Sequence, residues 1–308
     1  MATLGLLAAA APRAWRLVSA ARPAAAVGGG GYASGPVLAL AGLRGVPTLA
    51  LEADAHLGVT NRLLRPFVDR FCLSFPIAGC GPPRFVVTGR PLTEAQTCAT
   101  RAEGLAAFDL RDDLPVLLVF GGSQGARTLN NACVDAFAGA AAPGADLELQ
   151  VVHVCGPRNE AEVRAELEAR GARFEHYRLV PYTSQLAQAM AAADLVVARA
   201  GGSVAELAAL GRPAVLVPYP YASADHQRKN AEWMARAGAA LVIADEELDG
   251  ERLARVVREL LGDRERLAAM AAASRRVGRP DATRRVVDEI ESLVASRLRR
   301  PRPPNGAA

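Results

Sequence analysis

The sequence predicts an α/β protein made of two parallel sheets covered by helices. Two observations carry this. Short apolar runs bounded by glycine and proline alternate with helix-patterned stretches along the chain. Two of those runs, 114–120 and 195–198, are continuously apolar, as strands buried on both faces are. A length of 308 residues allows two domains, each with its own core.

Residues 1–27 are rich in Ala and Leu and carry Arg13, Arg16 and Arg22. A secretory signal places its positive charge ahead of the apolar stretch, and here the first basic residue follows it. The reading is an amphipathic helix over 4–20, then a strand at 24–27. Gly28 to Pro36 form a glycine-rich turn into an apolar helix at 37–43, which Gly45 and Pro47 end. A strand at 48–51, a polar loop and a helix from Arg62 follow, then strands at 71–75 and 85–87. Thr93 and Gln96 have capping-box spacing. Residues 97–113 are polar and weakly patterned.

The second half repeats the alternation. Strand 114–120 leads through glycines 121, 122 and 125 into a helix at 127–138. Strand 147–154, helix 160–170, strand 174–179 and helix 184–193 precede strand 195–198. After Gly201 and Gly202 a helix starts at Ser203. Strand 214–217, a proline-rich turn and a helix opened by Asp225 follow. Strand 240–243 and helices at 250–261, 264–276 and 281–297 complete it. The organisation read from this is a first domain over 1–92, a linker over 93–112, a second domain over 113–280, a closing helix over 281–298 and a disordered Pro/Arg-rich tail over 299–308.

Composition narrows the function classes. No apolar run reaches the roughly 18 residues of a membrane span. The net charge of +4 suits an acidic substrate or an anionic membrane surface. Basic residues are not interleaved with aromatics, which argues against a nucleic-acid partner. Cys72, Cys80, Cys98, Cys133 and Cys155 form no CxxC pair, so no metal site is expected, and a scattered odd set suits a reducing compartment.

Three stretches carry candidate chemistry. The turn at 121–126, with Ser123 at its tip, either cradles a phosphate with backbone N–H groups or is a plain tight turn. Ser203 and Glu206 have the spacing of a capping box. The other reading of that helix start is a ligand site, with Glu206 accepting hydrogen bonds from a ribose diol. Asp225 reads as an N-cap, and Gln227 offers a sugar both a donor and an acceptor. His153, inside a strand, reads as a satisfied core residue.

Five motifs then stand together: GGYASGP at 30–36, GVTNRLL at 58–64, GGSQGARTLN at 121–130, RAGGSVAEL at 199–207 and VPYPYASADHQRKNA at 217–231. In this order they resemble the MurG family, the bacterial N-acetylglucosaminyltransferases that make lipid II for peptidoglycan. The resemblance spans about residues 12–294. It implies the two-domain GT-B fold, with the sugar nucleotide held mainly by the C-terminal domain. Family members transfer GlcNAc from UDP-GlcNAc to a muramoyl-pentapeptide on a diphosphoundecaprenyl lipid, with inversion. They work as peripheral proteins at the cytoplasmic side of the cell membrane. The implied partners are UDP-GlcNAc, the lipid-linked acceptor and the membrane surface, with no cofactor.

Carried over by residue, the resemblance puts Ser123 and Gln124 in the donor loop and the backbone of Thr183 on uracil. Gly202 and Ser203 lie at a helix start facing the diphosphate, Glu206 on the ribose and Gln227 on the GlcNAc hydroxyls. Asp54 stands where a donor-contacting Asn is usual. Gly30, Gly31, Tyr32, Ser34 and Gly35 form an acceptor-side glycine loop, with Asn61 nearby. The family's first glycine loop, GGTGGH, whose histidine is the favoured general base, does not occur in this sequence. No catalytic residue is therefore assigned, and the N-terminal domain is expected to be incomplete. Thr93 stands where an Arg is usual. The competing readings are another GT-B enzyme, either a glycolipid glycosyltransferase or a UDP-GlcNAc 2-epimerase, and a donor-binding chain without turnover.

Overall fold

A computed structural model describes residues 2–172 and 174–299, with side chains from Ala11 onward. Apart from Arg299, which ends a helix, the expected tail over 299–308 lies outside the described residues. The chain divides into two compact units, 1–91 with 281–308, and 92–280.

The first unit contains α1 (Ala2–Ala21), β1 (Ala26–Gly28), α2 (Ser34–Leu43), β2 (Thr48–Glu52), α3 (Val59–Leu64), β3 (Arg70–Leu73) and β4 (Phe85–Val87). Its four strands run parallel in the order β1-β2-β3-β4. Side chains alternate along a strand, so each strand feeds two faces. Ala50, Phe71 and Leu73 join Leu38 and Leu64 on one face. Leu49 and Cys72 point to the other, where Val286, Ile290 and Leu293 of the chain's last helix cover them. An ion pair between Arg70 and Glu289 fixes that helix to β3. The helix expected at 37–43 begins earlier, at Ser34. Pro36 sits in its first turn, where a missing N–H is tolerated.

The second unit opens with α4 (Glu94–Thr97) and α5 (Arg101–Ala107). Then come β5 (Val116–Phe120), α6 (Arg127–Phe137), β6 (Gln150–Val154), α7 (Glu160–Ala169), β7 (Tyr177–Val180), α8 (Leu186–Ala192), β8 (Leu195–Ala198), α9 (Ser203–Ala209) and β9 (Ala214–Leu216). It closes with α10 (His226–Arg236), β10 (Ala240–Val242), α11 (Gly250–Gly262) and α12 (Arg264–Val277), and α13 (Ala282–Arg299) returns to the first unit. Six parallel strands are ordered β10-β9-β8-β5-β6-β7. The two central strands, β5 and β8, are buried along their whole length. They are also where the strand order reverses, the position that leaves a crevice at the carboxyl ends of an open α/β sheet.

The stretch read as an unpatterned linker is largely helical. The Thr93/Gln96 capping box forms, and a second one, Thr100 with Glu103, opens α5. α5 escaped the periodicity because its buried contact is a glycine. A Cβ on Gly104 would lie 2.1 Å from the carbonyl oxygen of Gln188 and 2.8 Å from Ala192 Cβ. The two helices thus meet backbone to backbone, without a large apolar stripe. Gly104→Ala should destabilise this unit by about 1–3 kcal/mol in urea unfolding, because neither backbone can yield. Gly262→Ala, with open space around its Cβ, should be neutral or stabilising by under about 1 kcal/mol.

Candidate functional site

Because all strands of the second unit are parallel, the loops leaving β5, β6, β8 and β9 gather at one edge. The loop after β5 is a closed turn, with Gly125 N–H donating to the Gly122 carbonyl at 3.0 Å. Gly125 (φ +75°) lies where a Cβ would be 1.8 Å from the Cys155 carbonyl oxygen, at the exit of β6. Gly156 (φ +90°) faces back, its missing Cβ 2.3 Å from the Gln124 carbonyl oxygen. Asn159 locks the pair, its Nδ2 donating to the carbonyls of Gln124 (3.1 Å) and Cys155 (2.9 Å). Ser123 and Gln124 are exposed at the tip. α6 then starts without a side-chain cap, so its first N–H groups are available to an anion.

The loops after β8 and β9 are tied together by Arg199, only 8% exposed. Its Nη1 donates to the carbonyls of Val217 (3.1 Å) and Pro218 (3.3 Å) and pairs with Asp245 at 2.5 Å. The Tyr219 ring stacks 5.5 Å from its guanidinium carbon. The other Asp245 oxygen accepts from Thr128 Oγ1 in the first turn of α6, at 3.1 Å. One cation therefore links three loop exits. α10 contributes two further ties: buried Asn230 donates to Ala200 O at 3.1 Å, and Gln227 Oε1 accepts from Tyr219 N–H at 2.9 Å.

In the first unit the loops after β1 and β2 also share a carboxyl edge. Gly30 and Gly31 both have positive φ, and Ser34 Oγ donates to their carbonyls at 3.0 Å each. Glu52, 6% exposed, accepts from Gly58 N–H (2.8 Å) and Asn61 Nδ2 (2.9 Å).

Residues 116–286 match the glycosyltransferase family 28 C-terminal domain. The chain is 39% identical over 294 residues to the UDP-N-acetylglucosamine–N-acetylmuramyl-(pentapeptide) pyrophosphoryl-undecaprenol N-acetylglucosamine transferase of Halothermothrix orenii, covering 92% of this chain and 78% of the relative. The crystal structure of Acinetobacter baumannii MurG superposes with a TM-score of 0.74 at 29% identity, covering 93% of this chain and 78% of that one. The chain belongs to the MurG family. A UDP-GlcNAc 2-epimerase from Neisseria meningitidis superposes with a TM-score of 0.66 at 12% identity over 95% of this chain and 82% of that one, a likeness of fold alone.

Of the positions that the MurG family motifs single out, Ser123, Gln124, Gly202, Ser203, Glu206 and Gln227 fall on the loops and helix starts of this one edge, as does Thr183 beyond β7. Thr183 Oγ1 accepts from Gln185 N–H at 2.9 Å, which shapes its turn. Gly30, Gly31, Tyr32, Ser34, Gly35, Asp54 and Asn61 lie in the first unit.

Two local readings are corrected. The Ser203/Glu206 capping box does not form. Gly202 is the cap residue, already in helical conformation, and Ser203 is the first residue inside. The Ser203 hydroxyl turns back to the Arg199 carbonyl at 3.5 Å. Asp225 does precede α10, but at φ +56° its side chain caps nothing and pairs with Arg228. Sequence reasoning gave no role to Arg199, Asp245 or Glu52. The available signal was position: Arg199 and Glu52 each stand at the end of an apolar strand, where a charge is buried only if the loops meet it.

His153 is a satisfied core residue, as read. Asn130 Nδ2 donates to the Cys155 carbonyl at 2.9 Å, so its Oδ1 must accept from His153 Nε2 (3.0 Å). His153 Nδ1 then accepts from the Tyr177 hydroxyl at 2.8 Å. Burial pushes the histidine down to about 3. Its folded value lies below its unfolded one, so stability is full above about pH 6.5 and is lost as pH falls toward 3. His153→Gln should therefore flatten the acid-side slope of urea stability between pH 6.5 and 4 by up to one proton, about 1.4 kcal/mol per pH unit.

Proposed function

We propose that this chain transfers N-acetylglucosamine from UDP-GlcNAc to the lipid-linked muramoyl-pentapeptide, the reaction named for its relatives. The supporting observation is the reversal of strand order between β5 and β8, where a glycine loop and two uncapped helix starts leave the same edge of the sheet. Backbone N–H groups and helix dipoles there suit a diphosphate, whose charge grows as the glycosidic bond to the sugar breaks. Ser123 and Gln124 sit beside it. Glu206 accepts from the ribose hydroxyls, and the Thr183 backbone meets the base. Gln227 has its Oε1 engaged by Tyr219, so it offers the sugar its Nε2 donors. Within the first unit, the loop of Gly30, Gly31, Tyr32, Ser34 and Gly35, with Asn61, serves the acceptor.

Among the described residues no helix is long and apolar enough to cross a membrane. The lipid acceptor calls for a peripheral face, on the cytoplasmic side. α1 fits it, with exposed Trp15 and Leu17 beside exposed Arg13 and Arg16.

Calorimetry with UDP-GlcNAc tests the donor half. Glu206→Ala removes a charged acceptor worth about 1.5–3 kcal/mol and should weaken binding roughly 10- to 100-fold. Equal affinity in that variant, or no binding by the unsubstituted chain, rejects the donor assignment. Transfer of labelled GlcNAc to the lipid acceptor reads turnover separately from binding. Trp15→Ala with Leu17→Ser should reduce co-sedimentation with anionic vesicles and leave UDP-GlcNAc affinity unchanged.

A further inference from the structure

At the opposite edge of the second sheet, the amino ends of β5, β8 and β9 border a cavity of about 440 Å³. That volume is within the ~300–1,000 Å³ typical of small-molecule sites. Arg212 lies within it, and Arg264 and Arg275 of α12 stand exposed at its rim. We propose that this cavity is a second ligand site, one that binds a phosphate or diphosphate group between Arg212, Arg264 and Arg275.

The carboxylates around the cavity are already committed. Arg101 pairs with Asp112 (2.8 Å) and Asp194 (3.2 Å), and Asp194 also accepts from Val116 N–H at 2.8 Å. Asp113 pairs with Arg111. Among the described residues, Arg212, Arg264 and Arg275 make no ion pair. Arg212 Nη1 donates to the Ala193 carbonyl at 3.0 Å, but its Nε is shut off from solvent and meets no acceptor.

Gly211 brings the second charge close. At φ +66° it has no Cβ, and one would lie 2.2 Å from Arg275 Cγ. The Arg275 side chain can therefore lie across the turn beside Arg212. Burial lowers the Arg212 pKa from its ordinary value; Asp194 opposes this, while Arg101 and Arg275 add to the fall. An anion held among the three guanidinium groups relieves the repulsion between Arg212 and Arg275. Phosphate suits this best, because the planar guanidinium fork matches two of its oxygens.

The test titrates inorganic diphosphate into the full chain saturated with UDP, in about 0.15 M salt so that loose surface attraction is screened. One equivalent should bind. Arg212→Met and Arg275→Met should each lower affinity about tenfold or more. If Arg212→Met fails to fold, Arg275→Met and Arg264→Met decide, since both side chains are exposed. A second arm uses phosphatidylcholine vesicles containing phosphatidic acid. Retention that the same variants abolish assigns the phosphate to a lipid headgroup; diphosphate binding alone assigns a free ligand. The proposal is overturned if neither probe binds, or if the variants bind as the unsubstituted chain does. The variants locate the site even if UDP does not bind, so this result and the donor assignment fail separately.

Discussion

A guanidinium group removed from water must find acceptors in the protein, and for Arg199 those acceptors are the loops themselves. Two of its partners are carbonyls at the exit of β9, one is a carboxylate that also holds the first turn of α6, and one is the face of Tyr219. Removing the cation would leave Asp245 without its charged partner and two buried carbonyls without a donor, so the three exits stand or fall together. Glycine-rich loops are ordinarily the mobile part of an α/β sheet. Here the loops proposed to carry Ser123, Gly202 and Gln227 are held from below by one buried charge, and from the side by Asn159 and Asn230. Preorganisation of this kind is what lets neutral N–H groups stabilise developing charge.

Much of the fold was legible because its strands are extreme. Val116 to Phe120 and Leu195 to Ala198 are apolar throughout and are the two central strands, buried on both faces. In the first unit the alternation Leu49, Ala50, Leu51 sorts side chains to two faces, a pattern that two covering layers of helix explain. What escaped notice was contact made without apolar side chains. α5 packs through Gly104, and no periodicity of large residues marks it.

The candidate site was legible in its backbone and illegible in its charges. Glycine spacing after two strands located the loops correctly. Spacing misled at Ser203, because a serine followed three residues later by glutamate looks the same whether or not it caps. Which of the two holds depends on where the helix begins, and Gly202 had already entered helical conformation. Arg199, Asp245 and Glu52 could not be assigned, because their partners lie on other loops and become neighbours only once the sheet is assembled. The His153 pairing was half readable: a histidine inside an apolar strand needs partners, but Asn130 and Tyr177 come from α6 and β7.

An anion at one edge of the second sheet would be met by different physics from an anion at the other. At the carboxyl edge helices begin, and their N–H groups and positive dipole ends favour an anion without any full charge. At the amino edge helices end. α8 and α9 finish there, at Ala192 and Ala209, presenting carbonyls and the negative ends of their dipoles. An anion at that edge is opposed by the backbone, so a site for it has to be built from whole positive charges. The cluster of Arg212, Arg264 and Arg275 meets that requirement. Part of the charge is spent on the helix end itself, where Arg212 takes the Ala193 carbonyl, and the exposed guanidinium groups of Arg264 and Arg275 are what remains for a ligand.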